Sequence, residues 1–121
     1  MSPLLFLLAA LAGGVGAAVR YLVDVGIARL VGTRIPWGVV AINITGSFAL
    51  GLVTGGLPEA AFLLGAGFLG GYTTFSTSVL DTVALWRDGS PRAAVLHAAG
   101  TLLASVAAAV GGLALGAALA G

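Results

Sequence analysis

Long apolar runs, separated by short segments of proline, glycine and charged residues, make up this chain of 121 residues. Four of the runs can cross the hydrocarbon core of a bilayer as helices, which takes about 20 residues. Each proline stands at or beside the start of a run, where its missing N–H leaves no helical hydrogen bond unmade. The pattern predicts an all-α membrane protein, one domain over residues 1–121 with four transmembrane helices at 3–31, 36–55, 59–86 and 91–119. Because the connections are short, consecutive helices should be antiparallel neighbours.

The first apolar run has one feature of a secretory signal peptide, an A-x-A pattern formed by Ala10 and Ala12. No basic segment precedes the run, however, and the sequence after it is another apolar run rather than a secreted domain. We therefore interpret residues 3–31 as a retained transmembrane helix.

The third run contains a polar segment, GGYTTFSTS at residues 70–78, at the depth of the membrane. Its two glycines lower the free energy needed to unwind a helix, and its hydroxyl side chains can bond the backbone groups that unwinding frees. The segment therefore predicts a third helix that is broken near its middle. Unwound carbonyls bind small cations in the broken helices of transporters, whereas a kinked helix without a ligand is the simpler alternative.

Polar side chains in the first two runs leave two interpretations open. Arg20 and Asp24 are four residues apart and share a helix face. They either neutralise each other or present Arg20 as a charge that attracts anions into a vestibule. Asn43 lies in the middle of the second run, where its amide has two N–H donors. It either ties helices together or donates hydrogen bonds to an anion.

The fourth run carries His97, Thr101 and Ser105 at intervals of four residues. This spacing places the three side chains along one face of a helix, which indicates a path for a polar solute. Alternatively, the two hydroxyls bond back to the carbonyl four residues earlier, as is common in membrane helices, and His97 faces the membrane interface.

Composition excludes several classes of function. Hydrophobic residues make up 60% of the chain and charged residues 7%, against about 25% charged residues in an ordinary soluble domain. The net charge is +1 without any lysine, so the chain has no surface for nucleic acid. The absence of cysteine excludes disulfides, thiolate metal sites and a thiol nucleophile.

Three glycine pairs, Gly51/Gly55, Gly67/Gly71 and Gly112/Gly116, have the spacing that lets membrane helices approach closely. A chain with 20 glycines among 121 residues is expected to contain about three such pairs by chance. From the sequence, the pairs therefore identify no particular interface.

Three motifs resemble those of one known family, the Fluc (CrcB) fluoride channels. GGVGAAVRY at 13–21, PWGVVAINITGSFALG at 36–51 and GFLGGYTTFSTS at 67–78 are similar to the family signatures of the first three spans, in the same order. The resemblance covers nearly the whole chain. It implies passive, selective export of fluoride from the cytoplasm by a multi-pass protein of the plasma membrane, which confers fluoride resistance and is not an enzyme.

The resemblance also implies an assembly and a set of site residues. The family forms antiparallel dimers, in which backbone carbonyls, here those of Gly70 and Thr73, hold a structural Na⁺ at the interface. Arg20 matches the family's vestibule arginine. Amide and hydroxyl donors, which can replace the water around fluoride without trapping it, and an aromatic edge would line the pores: Asn43, Phe75, Ser76, Thr77, Thr101 and Ser105.

The chain departs from the family pattern at two positions. Ser78 replaces the second phenylalanine of the third-span signature, and His97 stands where the family often has tyrosine. One wall of the pore is therefore expected to come from a partner. This departure favours, as an alternative function, a non-conducting subunit that completes the pores of a second subunit.

Charge placement predicts a fixed orientation in the membrane. Arg29 and Arg34 lie at the first connection, Arg87 and Arg92 at the third, and the second connection and both termini have no arginine or lysine. Positive charges mark cytoplasmic connections, so the termini are expected outside. A homodimer that inserts in both orientations should show little such bias. We therefore hypothesise a heterodimer with a homologous, oppositely oriented subunit, with the homodimer as the alternative.

Two other classes of function fit the residues less well. A proton-coupled exporter of small cations or drugs needs a carboxylate at mid-membrane depth, whereas Asp24 and Asp81 lie towards the ends of their spans. An intramembrane serine protease could be built from Ser76, His97 and Asp81, but the glycine pattern of a nucleophile elbow is absent.

Overall fold

The structure, a computed structural model, describes residues 2–121, and every regular element in that range is helical. The α-helices are α1 (Pro3–Val31), α2 (Trp37–Gly56), α3 (Gly70–Tyr72), α4 (Ser76–Arg87) and α5 (Pro91–Ala120). A 3₁₀ turn (Pro58–Ala60) and a π-helix (Ala61–Leu69) lead into α3 and belong with α3 and α4 to the third span. Helices α1, α2 and α5 are each long and apolar enough to cross a membrane. The predicted all-helical class is confirmed.

Local sequence explains where the helices begin and end. The Ser2 hydroxyl accepts the Leu5 N–H at 3.1 Å and caps α1, with Pro3 in the first turn. The chain leaves α1 at Gly32 and α4 near Gly89, both with φ of +83°, a conformation that glycine adopts without steric penalty. These turns lead to Pro36, which directly precedes α2, and to Pro91, where α5 begins.

Helices α2 and α5 form the most extensive contact of the fold. A Cβ atom on Gly51 or Gly55 would collide with the α5 backbone at Ala109 or Leu113. A Cβ atom on Gly112 or Gly116 would collide with the α2 backbone at Phe48 or Leu52 in the same way. The interpretation that these pairs identify no interface is wrong, because two of them face each other across α2 and α5.

The two halves of the third span pack against different helices. The π-helix and α3 lie on α1, where Gly67 meets Ala9 and Gly71 meets the Gly13 carbonyl. Helix α4, in contrast, packs against α5. The third span therefore contacts α1 before the segment between α3 and α4, and α5 after it.

The exterior of the bundle is apolar, whereas its interior is narrow. Buried hydrophobic side chains are few, and the largest that is fully buried is Ile42. Large apolar side chains are exposed along α1 and α5, such as Leu7, Leu11, Leu102 and Leu103. A soluble monomer rarely exposes so continuous an apolar surface, so the chain is a membrane protein.

Candidate functional site

Helical hydrogen bonding is interrupted between α3 and α4. Helix α3 ends at Tyr72, the backbone of Thr73 is extended with φ −78° and ψ 159°, and α4 begins at Ser76. The interruption lies within the polar segment 70–78 and directly opposite Asn43 of α2. Backbone groups at this depth need partners, because a bare N–H or C=O in hydrocarbon costs several kcal/mol.

Side-chain oxygens accept hydrogen bonds from two backbone N–H groups at the interruption. The Thr74 N–H donates to Asn43 Oδ1 at 2.9 Å, and the Thr77 N–H donates to Thr74 Oγ1 at 3.2 Å. In a continuous α-helix these donors would reach the carbonyls four residues earlier, those of Gly70 and Thr73. Both carbonyls are therefore released from their ordinary helical donors.

Asn43 holds the interruption by a two-point contact. Its Nδ2 donates to the Thr74 carbonyl at 2.8 Å while its Oδ1 accepts from the Thr74 N–H at 2.9 Å. The amide thus pairs with the backbone as a neighbouring peptide would. Of the two interpretations left open by the sequence, the structure supports the tie between helices, and one N–H of Nδ2 remains for another acceptor.

A cavity of about 420 Å³ opens beside the interruption. It is lined from α2, from the interruption, from α4 and from α5, by Asn43, Ser47, Thr73, Thr74, Phe75, Ser78, Val79, Thr82, Ala98, Thr101, Leu102 and Ser105. The structure thus brings together four of the predicted pore residues, Asn43, Phe75, Thr101 and Ser105. The third span, α2 and α5, which are distant in sequence, therefore meet at one cavity, and eight of its twelve lining residues are polar.

The other predicted site residues lie elsewhere. Ser76 is exposed at the start of α4, and Thr77 lines a separate cavity of about 180 Å³ together with Asp24 and Asp81. Arg20 is half-buried on α1, which does not contribute to the lining of the larger cavity. Asp24 places a carboxylate oxygen against Gly38 of α2.

Sequence reasoning did not single out two polar residues of the larger cavity, Ser47 and Thr82, whereas it had noted Ser78 as a departure from the family pattern. Ser47 follows Asn43 by one helical turn, and Thr82 follows Ser78 by one turn. Spacing of four on a single face could have identified both pairs. The Thr82 hydroxyl is already used, because it donates to the Ser78 carbonyl at 2.9 Å.

The polar face of α5 consists of His97, Thr101 and Ser105, which we call the α5 stripe. Among the described residues, His97 Nε2, Thr101 Oγ1 and Ser105 Oγ are buried and have no hydrogen-bond partner. The alternative in which these hydroxyls bond back to their own helix is therefore wrong, and His97 is packed inside the bundle, with only 7% of its surface exposed. The stripe presents unpaired donors towards the cavity at Thr101 and Ser105.

Phe75 stands at the edge of the cavity with 83% of its surface exposed. The neighbouring Thr74 is buried and bonded to Asn43. An aromatic ring that points away from its own bundle, beside polar groups, is available to a second molecule. The cavity is therefore only partly enclosed by this chain.

The fold and the cavity define a small helical membrane protein with a polar site at an interrupted helix. The family model described as "CrcB-like protein, Camphor Resistance (CrcB)" matches residues 7–113. The chain therefore belongs to the CrcB family, as its motifs predicted.

Curated relatives match over nearly their full length. A fluoride-specific ion channel FluC of Mesorhizobium japonicum is 46% identical over 116 residues, 91% of this chain and 90% of the relative. FluC 1 of Leifsonia xyli subsp. xyli is 45% identical, over 96% of this chain and 89% of its own. FluC of Rhodospirillum centenum is 41% identical, over 92% and 94%. These relatives are named as ion channels, and membership of their family confirms that the chain is not an enzyme.

Proposed function

We propose that this chain is a subunit of a fluoride-selective channel, through which fluoride leaves the cytoplasm passively across the plasma membrane. The observation that carries the proposal is the pair of unpaired hydroxyls, Thr101 and Ser105, which face a cavity shared with Asn43 and Phe75. Relatives named fluoride-specific ion channels support the choice of ion.

The chemistry of the lining suits a small anion. Fluoride must exchange its hydration shell for donors that bind strongly enough to admit it and weakly enough to release it. Hydroxyl and amide N–H groups meet both needs without a fixed charge, and the positive edge of the Phe75 ring adds a weak attraction. Among the described residues, no carboxylate lines this cavity, which argues against a proton-coupled exporter.

The exposure of Phe75 supports the proposed antiparallel dimer. A second subunit in the opposite orientation would cover the ring and close the open side of the cavity, so each pore would be lined by both chains. Ser78 lies in this lining where the family has phenylalanine. That substitution favours the second candidate function, a subunit that conducts little by itself and completes the pores of a homologous partner.

The carbonyls of Gly70 and Thr73 fit the proposed structural Na⁺. Their helical donors are taken by Asn43 Oδ1 and Thr74 Oγ1, so the oxygens are free to act as the hard ligands that Na⁺ prefers. Two such carbonyls from each subunit of a dimer would meet at the interface. When bound, the ion would supply positive charge that offsets the dipoles of these oxygens and joins the two broken helices.

Fluoride efflux from liposomes tests the proposed function. Vesicles that contain this subunit, alone or with a homologous partner, are expected to release fluoride but not chloride. Phe75→Ile should abolish the efflux, because it removes the aromatic edge from the lining. Phe6→Ile is the matched control, since Phe6 is an exposed aromatic residue of α1 outside the cavity. If neither wild-type preparation releases fluoride, the channel proposal is wrong.

The orientation of the subunit is a separate prediction. The connections that carry Arg29, Arg34, Arg87 and Arg92 lie at one end of the bundle, where Ile35 shares a groove with Leu85 and Ala93. We therefore expect this end in the cytoplasm. Reporters fused to the C-terminus should be active only when they report an external location, and removing the four arginines should equalise the signals. Equal signals from both sides in the wild-type chain would contradict a fixed orientation and favour a dual-topology homodimer.

A further inference from the structure

A groove of about 300 Å³ runs along α5, between α2 and the end of α4. We call it the α2–α5 groove. Several of its side chains are exposed, among them Trp37 and Leu96, so the groove is open to whatever surrounds the bundle. Apart from one histidine and one threonine its wall is apolar, and it is lined by Ile35, Trp37, Val40, Ile44, Leu85, Ala93, Leu96, His97, Gly100, Thr101 and Ala104.

The length of the groove matches one leaflet of a bilayer. Its lining on α5 extends from Ala93 to Ala104, about 16 Å along a helix that rises about 1.5 Å per residue. The hydrocarbon core of a bilayer is about 30 Å thick, so each leaflet contributes about half of that. An apolar groove of this length and volume fits an extended acyl chain.

Three arginines lie at one end of the groove. Arg34 directly precedes Ile35 of the lining, and Arg92 directly precedes Ala93. Arg87 is the last residue of α4, and all three arginines are exposed. Guanidinium groups bind phosphate oxygens through two parallel hydrogen bonds. The arginines therefore offer a phosphate site at the mouth of the groove.

The surrounding charges leave this end of the bundle positive. Asp88 is the acidic residue of the third connection, whereas Asp24 and Asp81 line a separate cavity. At the opposite end, the second connection carries Glu59 and no arginine or lysine. Basic pockets between transmembrane helices bind the head groups of anionic lipids, so the charge at the mouth complements an anionic lipid.

Both tryptophans of the chain lie at the arginine end. Trp37 begins α2 and is 50% exposed, and Trp86 lies beside Arg87 and is 59% exposed. Tryptophan is enriched where a membrane protein meets the lipid head groups. The mouth of the groove is therefore at the depth of the lipid phosphates.

A buried polar atom inside the groove is an independent indication of a ligand. His97 Nε2 lines the groove side of α5 and has no hydrogen-bond partner among the described residues. It lies about 7.5 Å along α5 from Arg92, at about 1.5 Å per residue. The ester carbonyls of a glycerophospholipid lie a few ångströms below its phosphate. With its proton on Nε2, the imidazole would donate to one of them and relieve the cost of a buried, unpaired group.

We propose that the α2–α5 groove binds one acyl chain of an anionic glycerophospholipid, whose phosphate lies on Arg34, Arg87 and Arg92. The proposal does not depend on fluoride conduction. A zwitterionic lipid has the same chains and a phosphate, but its net charge is zero and it gains less from three arginines. A water-soluble phosphate gains nothing from the apolar groove, so the ligand is a lipid.

Tryptophan fluorescence tests the site, because bromine quenches an indole that it nearly touches. Trp86→Phe leaves Trp37 in the groove as the single fluorophore, and Trp37→Phe leaves Trp86, which is at the same end but outside the lining. Each variant is reconstituted in phosphatidylcholine vesicles that contain an increasing fraction of phosphatidylglycerol or phosphatidylcholine with brominated acyl chains. The brominated lipid is present in both leaflets, so the orientation of the protein does not affect the result.

Quenching of Trp37 is expected to be half-complete at a fraction of brominated phosphatidylglycerol at least about fivefold lower than of brominated phosphatidylcholine. Trp86 should be quenched equally by the two lipids. High salt should reduce the preference at Trp37, because it screens exposed charges. Equal quenching of Trp37 by both lipids would overturn the proposal. Absence of quenching by either lipid would also overturn it, and would show that another subunit covers the groove.

Arginine variants test the phosphate site in the Trp86→Phe background. Replacing Arg34, Arg87 and Arg92 together with glutamine should abolish the preference for phosphatidylglycerol, and each single replacement should reduce it. Arg29→Gln is the matched control, since Arg29 is an exposed arginine of the same end that is not adjacent to a groove residue in sequence. If the preference persists in the single variants, or falls equally in Arg29→Gln, the assignment of the phosphate to these three arginines is wrong.

Discussion

Replacing Asn43 with alanine is expected to remove most fluoride efflux and to change how the protein responds to sodium. The substitution deletes both hydrogen bonds to the Thr74 backbone, at 2.8 and 2.9 Å. The Thr74 N–H is then free to turn back to the Gly70 carbonyl and extend α3. Efflux should fall by about tenfold or more, the factor that corresponds to roughly 1.4 kcal/mol of lost interaction.

Thermal unfolding in sodium and in potassium distinguishes two effects of the substitution: loss of the Asn43–Thr74 hydrogen bonds, and loss of the Asn43 side chain from the cavity lining. Wild-type protein should be more stable in sodium, because an ion that binds only the folded state raises its stability. Asn43→Ala should lose most of this difference, because the Gly70 carbonyl regains its helical donor. Thr54→Val is the control, since Thr54 is an exposed residue of the same helix and does not line the cavity. If sodium stabilises Asn43→Ala as much as it stabilises wild type, the Asn43–Thr74 hydrogen bonds are not needed for sodium binding and this prediction is wrong.

Adjacent glycines on α5 are expected to respond in opposite ways to alanine. Gly112→Ala would place a Cβ against the Phe48 carbonyl of α2, whereas a Cβ on Gly111 meets no atom within 4 Å. Overpacking of this kind costs about 1–3 kcal/mol, since two backbones must move apart. Gly111→Ala should be neutral or slightly stabilising, because alanine favours a helix over glycine by up to about 1 kcal/mol.

Midpoints of thermal unfolding in detergent provide the measurement for the pair. Gly112→Ala should unfold at a lower temperature than wild type, and Gly111→Ala at the same or a higher temperature. Gly51→Ala tests the opposite side of the contact, because its Cβ would meet the Ala109 carbonyl of α5. Equal midpoints for the two α5 variants would show that α2 and α5 do not pack through these glycines.

Much of the fold was predictable because the signals are local. Prolines and charges mark the helix starts, and α1 and α5 begin at Pro3 and Pro91. The polar segment 70–78 stood out for the same reason, since hydroxyl residues are unexpected in an apolar run. The sequence could not show which backbone groups of this segment would bond to a side chain instead of to their own helix, because Asn43 and Thr74 are 31 positions apart in the chain.

The candidate site was only partly predictable. Asn43, Phe75, Thr101 and Ser105 meet at one cavity, whereas Ser76 is exposed and Thr77 lines a different one. Adjacent residues at the start of a helix point in directions about 100° apart, so neighbours in a motif need not share a site. The sequence also left undecided whether the side chains of the α5 stripe have hydrogen-bond partners. Hydroxyls that bond back to their own helix and hydroxyls that line a path for a polar solute have the same spacing of four residues.

By itself, the sequence determined that this is a helical membrane protein of the CrcB family, since transfer into a bilayer depends on the composition of each segment and the motifs are contiguous. Tertiary structure decided which glycines face a neighbouring backbone and that the Asn43 amide bonds to the backbone of the interrupted helix. It also decided that His97 Nε2, Thr101 Oγ1 and Ser105 Oγ are buried without a hydrogen-bond partner among the described residues. Each of these depends on contacts between helices that are distant in sequence, which hydrophobic patterning does not specify.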